Sequence, residues 1–201
     1  MRAKKESYLP GFEKGAAKSH GGDLSLGKRK TFRPIDPKQA LHVVLRSSKA
    51  RGQLSMLHPR HCNAIETHVQ KAARRWGVRI LRFANVGNHL HLLIKVPSRA
   101  AWQRFSKELS GGIARIVTGA RKGAALDSKQ RDHLPESARR AFWDHLLFTR
   151  IVSFGRDYQG VARYLVKNLF VAAGVPMRAL LAKGLRICFV DREGVISGAP
   201  S

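Results

Sequence analysis

The stretch that decides the fold is Asn85–Val96, which reads NVGNHLHLLIKV. A short run rich in Leu, Ile and Val is typical of a strand, and the Asn- and Gly-containing segment before it indicates a tight turn. Side chains of a strand alternate between its two faces. Every second residue from Leu90 to Val96 would therefore face a core, while His89 and His91 share the opposite face.

Two imidazoles on one face of a strand can hold a single metal ion. The same spacing on a helix would place the two rings about 200° apart around the axis, so the metal hypothesis requires a strand. An isolated pair of this kind is more often a strand with histidines on its solvated face. A second motif is needed to favour the functional interpretation.

The second motif lies in residues 160–174, which read GVARYLVKNLFVAAG with apolar residues at helical spacing. Asp157 is a candidate N-cap, and Gly174 would end the helix. Tyr164 and Asn168 stand four residues apart and therefore share one face. The tyrosine hydroxyl is a candidate nucleophile, and the asparagine amide oxygen is a candidate third metal ligand. The alternative is a surface tyrosine beside a solvated asparagine.

Strand and helix patterns alternate along the rest of the chain. Strands are predicted at 41–47, at 78–84, from residue 89 and at 146–154, and helices at 59–76, at 100–118 and around Tyr164. This order, β-α-β-β-α-β, is that of the ferredoxin-like split β-α-β sheet. The predicted class is α+β, an antiparallel sheet with helices on one face, followed by a C-terminal catalytic helix.

The domain organisation follows from composition. A chain of 201 residues with 43% hydrophobic content can bury one ordinary core. We expect one catalytic domain at 38–175, a flexible basic N-terminal arm at 1–37 and a C-terminal extension at 176–201, which holds a candidate edge strand at 185–190. Residues 119–137, rich in Gly, Lys and Arg, indicate a mobile insert.

The charge of the chain points to nucleic acid. Lys and Arg number 38 against 13 Asp and Glu, a formal net charge of +25. An excess of this size favours a phosphate backbone as partner, although a ribosomal or nucleoid protein would share it. Two cysteines, the absence of a secretory segment and the absence of an apolar stretch of about 18 residues predict a cytoplasmic, nucleoid-associated protein with no membrane contact.

The segments NHLHLL at 88–93 and YLVKN at 164–168 resemble those of the single-tyrosine transposases of the HUH nuclease superfamily. The pattern is most similar to that of the REP-associated tyrosine transposases, and the resemblance covers about residues 38 to 175. Two positions differ: Gly87 stands where the family often has a proline, and Leu169 stands where another proline often follows the helical amide.

The resemblance implies an enzyme that nicks and rejoins single-stranded DNA. Tyr164 would attack in line, leaving a 5′-phosphotyrosine and releasing a 3′-hydroxyl. A divalent ion, Mg²⁺ or Mn²⁺, would be held by His89, His91 and Asn168. All three are neutral ligands, so the full charge of the ion would remain available at the scissile phosphate.

The implied partner is single-stranded DNA with a hairpin near the cleavage site. With one nucleophilic tyrosine per chain, complete strand exchange requires either a homodimer or the sequential use of one site. The basic residues that we assign to DNA contacts are Lys28, Arg29, Lys30, Arg33, Arg74, Arg75, Arg121, Lys122, Arg139, Arg140, Arg150, Arg163 and Lys167. The alternative function is a non-catalytic, domesticated DNA- or RNA-binding protein on the same fold.

Three weaker signals compete with these motifs. Tyr158 is a rival nucleophile, but its i+4 residue is Ala162, which offers no ligand. Residues 58–62 hold two histidines and a cysteine, but the proline between the histidines argues against a zinc site. The glycine pair at 111–112 lies in a helical pattern, which indicates a close backbone approach or a kink rather than a phosphate-binding loop.

Overall fold

The computed structural model describes residues 18–27, 32–120 and 142–172. Over these residues the chain forms a five-stranded sheet and three α-helices. The strands are β1 (Ser19–His20), β2 (Ala40–Arg46), β3 (Arg79–Asn85), β4 (His89–Lys95) and β5 (Phe148–Val152), and the helices are α1 (Cys62–Arg75), α2 (Arg99–Thr118) and α3 (Arg156–Ala172). Short 3-10 turns lie at Gly22–Ser25 and Gly52–Leu54.

The sheet confirms the predicted fold class. Its order is β1-β5-β2-β4-β3, and each pair of neighbours is antiparallel. Strand β4 therefore lies between β2 and β3, which are joined through α1. This insertion is the split β-α-β arrangement, with β5 on the other side of β2.

Local signals set the ends of the two connecting helices. The Ser98 side chain accepts a hydrogen bond from the Ala101 amide, 3.1 Å away, and caps the start of α2. Gly119 ends the helix in the left-handed conformation, at φ +70°. Gly77, at φ +65°, follows α1 in the same way. The predicted helix boundaries are therefore correct to within about three residues at each end.

The larger core lies between the sheet and helices α1 and α2. Leu90, Leu92 and Ile94 of β4 are fully buried there, as the alternation predicted. They meet the apolar stripe of α2, which consists of Trp102, Phe105, Leu109, Ile113 and Val117. The opposite face of the sheet is left for the third helix.

Helix α3 covers the face that carries the histidines. Val161 and Leu165 of α3 are buried against Ala84, Leu93 and Val152 of the sheet. Among the described residues, α3 is the only helix on this side. The helix that carries Tyr164 therefore also closes the smaller core.

The start of α3 differs from the prediction for Asp157. The Gln159 amide donates to the carbonyl oxygen of Gly155, so the helix begins after this glycine and Asp157 lies in its first turn. The Asp157 carboxylate accepts hydrogen bonds from the Ser153 amide (3.1 Å) and from the Arg150 guanidinium (2.6 Å). It therefore ties the helix to β5 instead of capping it.

Strand β1 corrects part of the predicted flexible arm. Ser19 and His20 pair with β5, although residues 1–37 show no strand pattern. The Arg33 guanidinium fixes the pairing by donating to the Leu147 carbonyl oxygen (2.8 Å) and to the Thr149 hydroxyl (2.6 Å). Burial lowers the pKa of Arg33 to about 10. Arg33 therefore has a structural role, which argues against its assignment as a DNA contact.

The glycine pair in α2 permits a close approach and causes no interruption, since the helix is continuous from Arg99 to Thr118. A Cβ atom at Gly112 would overlap the His68 ring, whose Nε2 lies 3.0 Å from the Glu108 carbonyl oxygen. Helix α1 thus packs a histidine directly on the backbone of α2.

Several predicted segments fall outside the described residues, namely 1–17 and 28–31, which belong to the predicted N-terminal arm, and 121–141 and 173–201. They include most of the predicted insert and the whole C-terminal extension with its candidate edge strand. None of the described helices combines the length and the apolar character that crossing a bilayer requires.

Candidate active site

Three imidazoles form a row on the face of the sheet under α3. The rings of His89 and His91 are stacked with centroids 6.0 Å apart, and those of His91 and His42 with centroids 5.7 Å apart. The row arises because β2 and β4 pair with Val44 opposite His91. His42 lies two residues before Val44 on the same face.

His42 is absent from the candidate residues that the sequence analysis selected. Its ring is 1% exposed, and it also contacts the ring of Phe148. The alternation in residues 40–46 would place His42 and Arg46 on one face of a strand. Its position next to His91 depends on the pairing register of two strands far apart in the chain, which a single sequence does not reveal.

Tyr164 lies across this row. Its ring stands perpendicular to that of His91, with centroids 5.7 Å apart, and to that of His42, with centroids 6.5 Å apart. Helix α3 holds this position because Val161 and Leu165, three residues before and one after, are buried against the sheet. The structure thus brings the candidate nucleophile to one of the two candidate metal-binding histidines.

Asn168 lies one helical turn beyond Tyr164, and its side chain is turned inward. Its Nδ2 atom is buried and has no hydrogen-bond partner among the described residues. The two ends of an asparagine amide are assigned from their partners, so this group can present either its nitrogen or its oxygen to the site. A buried amide without a partner fits a ligand that is satisfied only when a metal ion is bound.

The imidazoles of His89 and His91 are in the uncharged form. The Nδ1 atom of His89 lies 2.7 Å from the side-chain oxygen of Asn88 and donates to it, which leaves Nε2 as the acceptor. Burial and the neighbouring Arg46 lower the pKa of His89, against an opposing effect of Asp144. Burial and His89 lower the pKa of His91 to about 4. Both rings are therefore neutral at neutral pH, as metal binding requires.

The set of candidate donors fits the implied ion. Within the described ranges, no three His, Cys, Asp or Glu side chains come together as a metal-binding group. A metal site at this position would rest on two imidazoles and one amide, with water completing the shell. Such a mixture of nitrogen and oxygen donors suits Mn²⁺, and it suits Mg²⁺ if the ion keeps most of its water.

The turn before His89 is held by an adjacent loop. The side chain of Asn85 donates to the Met56 carbonyl oxygen at 2.8 Å and accepts from the Gly87 amide at 3.0 Å. Gly87 has φ +87°, which a proline cannot adopt because its ring fixes φ near −65°. The hydrogen bonds between Asn85, Met56 and Gly87 therefore fix this turn without the proline that the family often has at position 87.

Three candidate DNA-contact residues lie on the side of the sheet that carries the site. Arg150 is the cross-strand neighbour of His42 and forms the ion pair with Asp157, in which the two side chains are 14% and 22% exposed. Arg163 and Lys167 are on α3, on either side of Tyr164 in the sequence, and both are exposed. These two cations therefore place positive charge on the exposed surface of α3 close to Tyr164.

The other candidates do not converge on the site. Arg74 and Arg75 are in the last turn of α1, on the opposite face of the sheet, where Arg75 pairs with Glu108 at 2.9 Å. Arg33 holds the sheet together. The remaining seven candidates lie outside the described residues: Lys28, Arg29, Lys30, Arg121, Lys122, Arg139 and Arg140. The residues at 58–62 likewise form no metal group in the described part of the chain.

Two of the solved structures that are similar to this chain share little sequence identity with it. A REP-associated tyrosine transposase bound to a REP hairpin is 13% identical, with a TM-score of 0.47, over 86% of this chain and 95% of the other. A predicted transposase from Deinococcus radiodurans is 14% identical, with a TM-score of 0.40, over 70% of this chain and 98% of the other. A comparison with curated protein sequences finds no match.

The family comparison gives one match, described as "Transposase IS200 like", over residues 37–150. The matched region begins just before β2, contains both His89 and His91, and ends within β5, before α3. It covers more than half of the chain. The resemblance inferred from NHLHLL is thereby confirmed at the level of the family: the chain belongs to the IS200-like transposases.

Proposed function

We propose that this transposase cleaves and rejoins single-stranded DNA through a covalent bond between Tyr164 and a 5′-phosphate. The observation that carries the proposal is the contact between the rings of Tyr164 and His91. A tyrosine on a helix and a histidine on a strand, 73 residues apart, meet on the covered face of the sheet. Nothing in the packing of the core alone calls for this pair of residue types.

His89, His91 and Asn168 would hold the divalent ion, Mg²⁺ or Mn²⁺. Bound there, the ion would supply positive charge that polarises the scissile phosphate and offsets the charge that grows in the transition state. The buried, unpartnered amide of Asn168 and the low pKa values of the two histidines support this assignment.

The reaction exchanges one phosphate ester for another. The Tyr164 oxygen forms a bond to phosphorus, the bond from phosphorus to the 3′-oxygen breaks, and the released 3′-oxygen takes up a proton as the tyrosine hydroxyl loses one. A later attack by a 3′-hydroxyl reverses these steps and frees the tyrosine. Because ester energy is conserved, joining requires no nucleotide cofactor.

The cations on α3 support a single-stranded substrate that passes over Tyr164. Arg163 and Lys167 are exposed on α3 and would contact phosphates near the scissile bond. We further propose a hairpin near the cleavage site, in line with the hairpin that one solved relative is described as binding. A homodimer would provide the second tyrosine for strand exchange, and the DNA partner would place the protein at the nucleoid.

The test is covalent trapping on a denaturing gel. The protein is incubated with Mn²⁺ and single-stranded oligonucleotides that carry a hairpin and a labelled flank, and the gel reports a protein–DNA adduct. Tyr164→Phe should bind the oligonucleotide and form no adduct. Tyr158→Phe is the matched control, because the Tyr158 ring stacks on that of Phe154, with centroids 5.5 Å apart, and not on the histidines. This variant should retain the adduct.

Two results would contradict the proposal. An adduct that persists in Tyr164→Phe and disappears in Tyr158→Phe would transfer the nucleophile to the other tyrosine. Tight DNA or RNA binding with no adduct from the unaltered chain, across oligonucleotides and both metals, would favour the alternative of a non-catalytic binding protein. Two observations are consistent with this alternative: the net charge of +25, and a family match that ends before α3 and so does not include Tyr164.

A further inference from the structure

The buried ring of His42 is the part of the site that the proposed chemistry does not use. Both of its nitrogens are buried and have no hydrogen-bond partner among the described residues. A buried polar group without a partner destabilises a fold, and an apolar ring of the same shape would avoid that cost. A histidine that is 1% exposed at this position therefore points to a use for its nitrogens.

The surroundings of His42 indicate what that use is. Its ring lies between those of His91, Phe148 and Tyr164, at centroid distances of 5.7, 6.4 and 6.5 Å. His91 and Phe148 bring no hydroxyl, whereas Tyr164 brings the hydroxyl of the candidate nucleophile. Within the part of the chain that the structure describes, the three histidines do not come together as one metal-binding group, so His42 is not a third imidazole ligand beside His89 and His91.

We propose that His42 is a positioning residue for Tyr164, joined to its hydroxyl through an imidazole nitrogen, directly or by one water molecule, when DNA is bound. A neutral imidazole offers one donor and one acceptor nitrogen, so it can receive the hydrogen bond of the hydroxyl without changing its own protonation. The perpendicular contact of the two rings limits the rotation of the tyrosine, and the hydrogen bond would select one direction for its oxygen. This inference rests on the proposed function.

The decisive variant is His42→Phe, which keeps the ring and removes both nitrogens. Four quantities are measured: the free energy of unfolding, the Mn²⁺ affinity, the oligonucleotide affinity and the rate of adduct formation in a single turnover. We expect stability equal to or above that of the unaltered chain, unchanged affinities, and adduct formation slower by about tenfold, as the loss of one hydrogen bond in the reacting state implies.

Two further variants separate positioning from packing. His42→Asn and His42→Gln each return a hydrogen-bonding atom near one of the two nitrogen positions, and at least one of them should form the adduct faster than His42→Phe. Thr149→Val is the matched control: Thr149 is fully buried and polar but accepts from Arg33 on the other face of the sheet. Thr149→Val should lower the free energy of unfolding and leave the rate of adduct formation by the folded protein unchanged.

The outcomes distinguish this inference from the function on which it rests. If the unaltered chain forms the adduct and His42→Phe forms it at the same rate, the positioning role is refuted and the proposed function stands. If His42→Phe loses Mn²⁺ affinity, the residue is a ligand and the inference is equally refuted. If the unaltered chain forms no adduct, the proposed function falls and the role of His42 falls with it.

Discussion

The two adjacent glycines of α2 should respond in opposite directions to the same substitution. Gly111 and Gly112 are both in the middle of a regular helix, where alanine is favoured over glycine by about 0.5–1 kcal/mol. A Cβ at Gly111 would lie 3.7 Å from the Arg115 guanidinium, an ordinary contact. Gly111→Ala should therefore raise the free energy of unfolding by about 0.5–1 kcal/mol.

Gly112→Ala gains the same helix propensity but must displace the ring of His68. The ring would lose its hydrogen bond to the Glu108 carbonyl oxygen, worth about 1 kcal/mol, and overpacking at a buried contact costs about 1–3 kcal/mol. After the gain in propensity is subtracted, the free energy of unfolding should fall by about 1–3 kcal/mol.

Equilibrium urea denaturation of the two variants measures both changes. Combining Gly112→Ala with His68→Ala should cost less than the sum of the single changes, since the displaced ring is then absent. Adduct formation should survive in both glycine variants, because α2 lies on the face of the sheet away from Tyr164. Shifts of the same sign at the two glycines, or strict additivity with His68→Ala, would refute the contact as the reason for Gly112.

The other predictions concern the site and the N-terminal segment. His89→Ala or His91→Ala should abolish the adduct and weaken Mn²⁺ binding while leaving oligonucleotide affinity nearly unchanged; a normal adduct from either variant would refute the metal assignment. Burial keeps the pKa of His91 at about 4 and that of His42 at about 3, below the ordinary 6.5, so the unfolded chain binds protons first. In urea titrations of the metal-free protein at several pH values, the free energy of unfolding should be highest above pH 6.5. It should fall as the pH drops toward these pKa values, by about 1.4 kcal/mol per pH unit for each ring. His42→Phe should flatten this fall, and an equal slope in the variant would show that the burial of His42 is not its cause. Replacing Lys28, Arg29 and Lys30 together by Gln should reduce the slope of log affinity against log salt by up to about 2, since each lost phosphate contact removes about 0.7. Fluorescence anisotropy titrations at several salt concentrations measure this slope, and an unchanged slope would show that these residues do not contact DNA.

The parts of the fold that the sequence predicted are those set by local spacing. The alternation from Leu90 to Val96 gave the strand and its two faces, and the spacing of apolar residues gave the helices. The helix ends at Ser98, Gly77 and Gly119 depend on capping preferences that act within one turn. Strand β1 could not be predicted in this way. It has two residues, too few for alternation, and its pairing depends on Arg33 reaching Leu147 across the chain.

The candidate site likewise contains some residues that local spacing predicts and one that it does not. The spacing of His89 and His91 and that of Tyr164 and Asn168 are properties of one strand and one helix, and both pairs could be selected from the sequence. The meeting of these two elements was expected only from the family resemblance. His42 was missed because its neighbours are fixed by the register between β2 and β4, which depends on side-chain packing over the whole sheet.

The burial of Val161 and Leu165 against the sheet has a consequence for how loss-of-function variants of this protein should be interpreted. These two aliphatic side chains have no chemistry of their own, yet they determine how far the Tyr164 ring stands from His91. A smaller residue at either position would leave Tyr164 and the histidines unchanged in the sequence and still move the Tyr164 ring relative to His91. In a screen for inactive variants, such substitutions would be indistinguishable from those of catalytic residues unless the adduct rate were measured on the folded fraction alone.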